Sequence, residues 1–211
     1  MADEQELLSR AQWPADSGLL PAIVQDADTL QVLMLGYMNR AALETTLQTG
    51  RVTFFSRTKQ RLWTKGESSG HVLDWVEIKL DCDADSFLIA ARPHGPTCHT
   101  GSVSCFTDTV APGIGFLAHL RQIVAARAAA PAASSYTSQL LQAGVERTAQ
   151  KVGEEGVETA VAAAANTGTL AEEAADLLYH VLVLLESTHV PLDSVLRVLR
   201  RRHQRRYATE R

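Results

Sequence analysis

The sequence is short of several things. Only three of its 211 residues are cysteine, an odd number that cannot close into a disulfide framework. Its longest apolar runs, such as Leu177–Leu185, are too short to span a bilayer, and that run carries His180. Its start, Met1-Ala2-Asp3-Glu4, is acidic where a secretory signal is basic. The net charge of -4 lacks the cationic excess that a nucleic-acid binder uses. These absences argue against a disulfide-stapled secreted scaffold and against a membrane-spanning protein. They give no reason to expect a nucleic-acid partner. A cytoplasmic protein with reduced thiols is the expectation.

What is present is unevenly distributed. Residues 1–115 hold 9 Lys+Arg and 14 Asp+Glu, a balance of -5, whereas residues 116–211 hold 11 and 10, a balance of +1. The patterning changes at the same place. Ala22-Ile23-Val24 and Val32-Leu33-Met34-Leu35, separated by Asp26-Ala27-Asp28, read as a hairpin. Asn39 caps an expected helix through Leu47 that Gly50 ends. Val52–Ser56, Val72–Leu80 and Phe87–Ala91 read as strands, with a Gly/Ser-rich turn at 66–70. After Gly115 the period becomes helical. Phe116, Leu120, Ile123, Val124 and Arg127 fit an amphipathic helix, and residues 128–135 form an Ala/Pro/Ser linker. Helices are expected near 137–143, 145–165, 170–188 and 192–207, punctuated by Gly144, Asn166-Thr167-Gly168 and Val190-Pro191. The string Gly113-x-Gly115-x-x-Ala118 is no dinucleotide fingerprint, because it lacks a preceding strand and a following acid.

The chemistry of the first half gathers in two strings. Asp81-Cys82-Asp83-Ala84-Asp85 alternates carboxylates, which share a face if the segment is extended and then repel unless a cation sits among them. A solvated acidic turn is the plain alternative. An EF-hand loop is disfavoured, because Ser86 and Arg92 stand where Gly and Glu are needed. The second string, Gly95-Pro96-Thr97-Cys98-His99-Thr100-Gly101 followed by Ser104-Cys105-Phe106, places all three cysteines within 24 positions. Three thiolates with an open fourth position suit a catalytic zinc. His99 could close the site or remain free to carry a proton; spacing does not decide between them.

These strings, together with Val32–Asn39 and Leu62–His71, resemble phosphoribosyl-AMP cyclohydrolase over roughly residues 17–107. Gly36 departs from the Ala usual there. The resemblance implies zinc on Cys82, Cys98 and Cys105, and magnesium on Asp81, Asp83 and Asp85. It also implies an intertwined homodimer whose active site takes ligands from both subunits. The reaction implied is hydrolytic opening of the adenine ring at N1–C6, with His99 moving a proton. Lys65, Gly66, Ser68 and Ser69 offer a cation, hydroxyls and accessible backbone N–H groups that suit a phosphate. Ser56, Arg57 and Trp63 are further candidates for substrate binding, although Trp63 could equally be core.

In the second half, Glu155 and Glu158 lie three apart on one expected helix, and Glu173 and Asp176 lie three apart on the next. A short connection makes these helices antiparallel neighbours, so that four carboxylates could face one another and hold a hard cation. Ser135-Tyr136-Thr137, Lys151–Glu158 and Glu173–His180 are similar to phosphoribosyl-ATP pyrophosphohydrolase of the MazG-like class, over about residues 134–206. Gly156 stands where Ala is common. The resemblance implies magnesium on Glu155, Glu158, Glu173 and Asp176, with Glu155 as a candidate catalytic residue and Lys151 touching phosphate; which of the acids activates water is not readable from the sequence. Arg200–Arg202 with Arg205-Arg206 reads as a solvated cationic helix end.

The expectation is therefore an α+β chain. Residues 1–115 form a mainly β cyclohydrolase domain, 116–135 a helix and linker, and 136–211 an all-α pyrophosphohydrolase domain. Its partners are small phosphoribosyl nucleotides and a second copy of itself, with no nucleic acid and no membrane; its cofactors are Zn2+ and Mg2+.

Overall fold

A computed structural model describes residues 2–106, 110–111, 113–131, 135–166 and 168–209. Positions 132–134 of the expected linker, and the side chains of Arg205 and Arg206, lie outside the described residues. The chain clusters into two compact units, Met1–His119 and Leu120–Arg211.

The first unit is built on a four-stranded sheet. Strands β1 (Leu20–Asp26) and β2 (Val32–Met38) form the expected antiparallel hairpin. Its turn is tied by Asp26, whose carboxylate accepts from the N–H groups of Asp28 and Thr29 at 2.9 and 2.7 Å. Helix α2 (Arg40–Thr49) follows. Asn39 caps it by accepting from Ala42 N at 2.8 Å, and Gly50 ends it at φ 75, a left-handed conformation that costs glycine little. Strands β3 (Thr53–Ser56) and β4 (Arg61–Thr64) make a separate two-stranded ribbon. Strands β5 (Leu73–Leu80) and β6 (Phe87–Pro93) then complete the main sheet in the order β2-β1-β6-β5, with β6 parallel to β1.

Alternation decides which face is core. Leu20, Ala22 and Val24 of β1 and Phe87, Ile89 and Ala91 of β6 point inward and are almost fully buried, packing with Leu33, Leu43 and Phe54. The opposite face is not polar. Ile23 is in register with Leu35 on one side and Leu88 on the other, and these three stand side by side at 37%, 44% and 41% exposure.

Two elements go beyond the sequence reading. Helix α1 (Ala2–Arg10) packs Leu7 and Leu8 against the core, but two adjacent leucines supply no helical period. Strand β4 is four residues long and pairs Phe54 with Trp63, which short-range pattern does not reveal.

The second unit is helical. Helix α3 (Gly115–Ala128) leads into it, followed by α4 (Tyr136–Gln142), α5 (Val145–Ala165), α6 (Leu170–Ser187) and α7 (Leu192–Thr209). Ser135 caps α4 by accepting from Ser138 N, and Asn166 ends α5 in a left-handed conformation. Val124, Leu140 and Val183 form its small core, with Leu141 and Tyr179 against them. Among the described residues no helix is long and apolar enough to cross a membrane.

Candidate functional site

In the first unit the chain after β4 doubles back. Gly66 takes φ +84, and a Cβ there would lie 2.4 Å from the His71 backbone, so only glycine lets the 66–70 turn fold this closely. On the other side, Ser104 Oγ donates to Val32 O at 2.8 Å and Cys105 N donates to Leu33 O at 2.7 Å, tethering the cysteine segment to β2. These two anchors create a cavity of ≈ 440 Å³. It is lined by Trp63, Lys65, Gly66, Glu67, Ser68 and Ser69 and by His71, Thr97, Cys98, His99 and Cys105. Ser56 and Arg57 do not line it. Arg57 stacks 3.9 Å over the Tyr37 ring, and Ser56 Oγ accepts from Lys59 N in the β3–β4 turn.

The thiols differ in their surroundings. Thr100 donates its hydroxyl to Cys98 Sγ at 3.1 Å, which holds the Cys98 thiol below its ordinary value. Burial pushes the Cys105 thiol up, with the neighbouring Cys98 adding to the rise and the Lys65 ammonium opposing it. His99 Nδ1 lies 3.8 Å from Cys98 Sγ. Two interacting thiols with an adjacent imidazole are soft donors that fit zinc. Cys82 is not with them. It lies on the β5–β6 turn with its Sγ 3.9 Å from Asp83 Oδ1, and among the described residues no three-ligand group includes a cysteine.

Of the two readings the sequence leaves open, an extended segment and an acidic turn, the structure has the turn. Asp81 folds it over itself, its carboxylate accepting from the N–H groups of Asp85 and Ser86 at 3.0 and 3.1 Å and from Ser86 Oγ at 2.6 Å, while Ala84 takes φ 62. These hydrogen bonds hold the Asp81 carboxyl low. Asp81, Asp83 and Asp85 still converge, with ligand atoms within 4.8 Å of one another on an exposed surface. Asp83 pushes the Asp85 carboxyl up by like-charge repulsion, a strain that a divalent cation would relieve.

In the second unit, Glu155, Glu158 and Glu173 bring carboxylate oxygens within 4.8 Å of one another between α5 and α6. Thr159 links the helices by donating to Glu155 O and sitting 3.1 Å from Glu173 O. Hard oxygen donors in this number fit magnesium. Asp176 does not join the three; it is exposed, and its shorter side chain sits one turn further along α6. Lys151 Nζ lies 2.7 Å from Glu155 Oε1 and 2.8 Å from Glu154 Oε2, and it holds both carboxyls low while its own proton is bound more tightly.

Sequence reasoning missed two residues here. Nothing in the sequence singles out His180 as a site residue, yet it is buried against Glu155 with Nδ1 3.7 Å from Oε1. Thr97, between Pro96 and Cys98, is likewise unmarked in the sequence and is buried in the cavity wall. A seven-residue window carries no signal for either, because both roles depend on tertiary neighbours.

A family model for phosphoribosyl-AMP cyclohydrolase matches residues 34–107, and one for phosphoribosyl-ATP pyrophosphohydrolase matches residues 117–203. The histidine biosynthesis bifunctional protein HisIE of Salmonella typhimurium is 56% identical over 193 residues, 91% of this chain and 95% of that protein. The protein of the same name from Yersinia pestis is 53% identical over 206 residues, 97% of this chain and 100% of that one. That of Escherichia coli is 54% identical over 193 residues, 91% and 95% respectively.

Proposed function

Because the chain belongs to the bifunctional phosphoribosyl-AMP cyclohydrolase and phosphoribosyl-ATP pyrophosphohydrolase family of histidine biosynthesis, we propose that its two hydrolyses divide between the two ligand clusters. The carboxylate group between α5 and α6 takes phosphoribosyl-ATP and releases pyrophosphate. The thiol-lined cavity takes the resulting phosphoribosyl-AMP and opens its adenine ring. One observation carries this reading: each unit holds its own ligand set, soft thiols in one and hard oxygens in the other.

In the helical unit, Glu155, Glu158 and Glu173 would hold magnesium, with Asp176 a further ligand within one helical turn. The metal would neutralise phosphate charge and orient the chain for cleavage between the α and β phosphates. Lys151 exchanges its hold on Glu155 for a phosphate oxygen when substrate arrives. Glu155, freed of that ammonium, is the carboxylate that acts as base and accepts the proton of the attacking water.

In the first unit, Cys98 and Cys105 would hold zinc together with Cys82 of a second copy. Zinc would supply a Lewis acid that lowers the pKa of water. The separation of Cys82 from the other two thiols supports the shared site, and so does the apolar face carried by Ile23, Leu35 and Leu88, which suits burial against a second copy. Asp81, Asp83 and Asp85 would hold magnesium beside Cys82. His99, beside Cys98, moves the proton to the departing ring nitrogen. Lys65 and the Gly66–Ser69 turn bind the nucleotide, the ammonium and backbone N–H groups facing its negative charge. Thiolate ligands require reduced cysteines, which fits the cytoplasm.

The test is separation of the two activities. Cys98→Ser should abolish ring opening and spare pyrophosphate release. Glu155→Gln should abolish pyrophosphate release and spare ring opening of supplied phosphoribosyl-AMP. Pyrophosphate and the ultraviolet spectrum are followed together; loss of both activities in either well-folded variant would refute the division.

A further inference from the structure

His71 is gripped by two glycines from different parts of the chain. A β-carbon on Gly66 would come within 2.4 Å of the His71 backbone, and one on Gly95 would come within 2.7 Å of Cδ2 in its ring. Backbone and ring approach this closely only because neither glycine carries that carbon. Gly66 opens the turn that faces the negative charge of the nucleotide, and Gly95 begins the loop that carries Cys98. A single residue therefore bridges the nucleotide turn and the thiol loop, and it lines the cavity that both of them line.

Packing fixes the ring but leaves its nitrogens unused. The His71 backbone N–H donates to Ser69 Oγ at 3.3 Å, whereas neither ring nitrogen has a partner among the described residues. The residue is half-buried, and neither nitrogen is sealed from solvent. Two cavities meet at the 66–70 turn. One is lined by Gly66, Glu67, Gly70 and Val72 without His71, and the other is the thiol cavity, which His71 lines. The side chain thus opens on the thiol side. Other charged groups there are engaged: Glu67 pairs with Arg61, and Lys65 acts on the Cys105 thiol.

We propose that His71 is a substrate-contact residue, its imidazole hydrogen-bonded to a ribose hydroxyl of the bound nucleotide. This rests on the cavity being the ring-opening site. A nucleotide runs phosphate, ribose, base. With the turn on the phosphate and the thiols at the base, the residue that joins turn to thiol loop meets the ribose. The chemistry matches, because a neutral imidazole presents one N–H and one lone pair, and a hydroxyl both donates and accepts. A ring already held by packing loses little freedom on binding. The ribose hydroxyls take no part in the bond that breaks, so this contact is equally strong before and during the reaction and acts on binding rather than on the barrier.

The experiment compares His71→Leu, which fills similar space without polar atoms, with His71→Asn, which keeps a donor and an acceptor. Both are made in the full chain, with pyrophosphate release as the internal control. In His71→Leu, KM for ring opening of supplied phosphoribosyl-AMP rises about three- to tenfold, the loss of one hydrogen bond to a ligand, while kcat is unchanged. Zinc content and thermal stability stay as in the wild type. His71→Asn recovers most of the loss in KM. Unchanged KM in His71→Leu overturns the proposal, and so does an asparagine variant as impaired as the leucine one. A fall in kcat with KM unchanged overturns it too, because the imidazole then serves the reacting atoms. Loss of zinc or of thermal stability in His71→Leu makes the residue structural and has the same effect. Ring opening that survives Cys98→Ser sinks the cavity assignment itself, a separate failure that takes this inference with it.

Discussion

His180 Nδ1 stands 3.7 Å from Glu155 Oε1, and each residue is only 5% exposed. That separation is too long for a hydrogen bond, so the imidazole acts as a wall rather than a donor to the carboxylate. Its own hydrogen bonds hold it there. Nδ1 lies 2.9 Å from Asp176 O, which can only accept, so the ring proton belongs on Nδ1. Nε2 then accepts from Tyr136 OH at 3.3 Å. One residue earlier on α6, Tyr179 OH pairs with Thr137 Oγ1 at 2.8 Å. The Tyr136-Thr137 string thus acquires a reason: it docks α4 onto α6 and fixes the ring behind Glu155.

His180 is accordingly a positioning residue for the carboxylate group. In His180→Leu, Glu155 loses its polar wall, and Mn2+ binding to the substrate-free protein should weaken about tenfold, the usual effect of removing such a support. His180→Asn, which keeps a donor near Nδ1, should recover most of it. Electron paramagnetic resonance of free Mn2+ measures this without turnover. Equal affinity in all three proteins would remove His180 from this role.

The two cavity thiols should separate by pH. A depressed thiol is ionised further down the pH scale, and the thiolate is the nucleophile. In metal-stripped protein, Cys98 should therefore react with iodoacetamide with a half-maximal rate below the ~8.5 of an unperturbed cysteine, and Cys105 above it. Thr100→Val removes the hydroxyl that donates to Cys98 and should move its profile upward. Peptide mass spectrometry across pH 6–10 reads both sites. Coincident profiles would contradict the assigned hydrogen bond.

Gly36 and Gly156 should respond in opposite senses to replacement by alanine. A Cβ on Gly36 would meet Phe54 Cδ1 at 2.3 Å, in a core ring that is 1% exposed. Gly36→Ala should lower stability of the first unit by about 1–3 kcal/mol, the cost of overpacking. A Cβ on Gly156 meets nothing within 4 Å, and the residue is inside α5. Gly156→Ala should raise stability of the helical unit by about 0.5–1 kcal/mol. All three tryptophans lie in the first unit, so their fluorescence follows Gly36→Ala, while helical circular dichroism follows Gly156→Ala. A stabilising Gly36→Ala would mean that the Phe54 ring moves freely.

Those glycines also mark what a sequence can convey. The β1–β2 hairpin is legible because alternation and an Asp-rich turn are local. Helix α2 is legible through Asn39 and Gly50, and α5 through Gly144 and Asn166. Helical spacing likewise brings Glu155 and Glu158 to one face. What stays illegible is tertiary. The pattern around Gly36 does not show that Phe54 fills the space above it. Alternation alone leaves Asp81–Asp85 open between an extended segment and an acidic turn, and the N–H groups of Asp85 and Ser86 donating to Asp81 decide for the turn. Asp176 has the same spacing from Glu173 as Glu158 has from Glu155, yet it is left out of the three-carboxylate group, because side-chain length and helix rotation decide reach.

The position of Cys82 yields the last prediction. In one chain its thiol stands on the β5–β6 turn, outside any three-ligand group formed with Cys98 and Cys105. If a two-fold dimer brings Cys82 of one copy to the thiol pair of the other, two defects can complement. Cys82→Ser and Cys98→Ser should each be inactive in ring opening when pure. When they are mixed and allowed to exchange subunits, half of the dimers pair one variant with the other. Each mixed dimer then has one site with all three cysteines and one site with neither Cys82 nor Cys98. Ring opening should return to about one quarter of the wild-type rate, as two-fold symmetry requires. Pyrophosphate release should stay constant throughout, since neither variant touches the carboxylate group. A mixture with proven subunit exchange and no recovered ring opening would place all three thiols of a site on one chain.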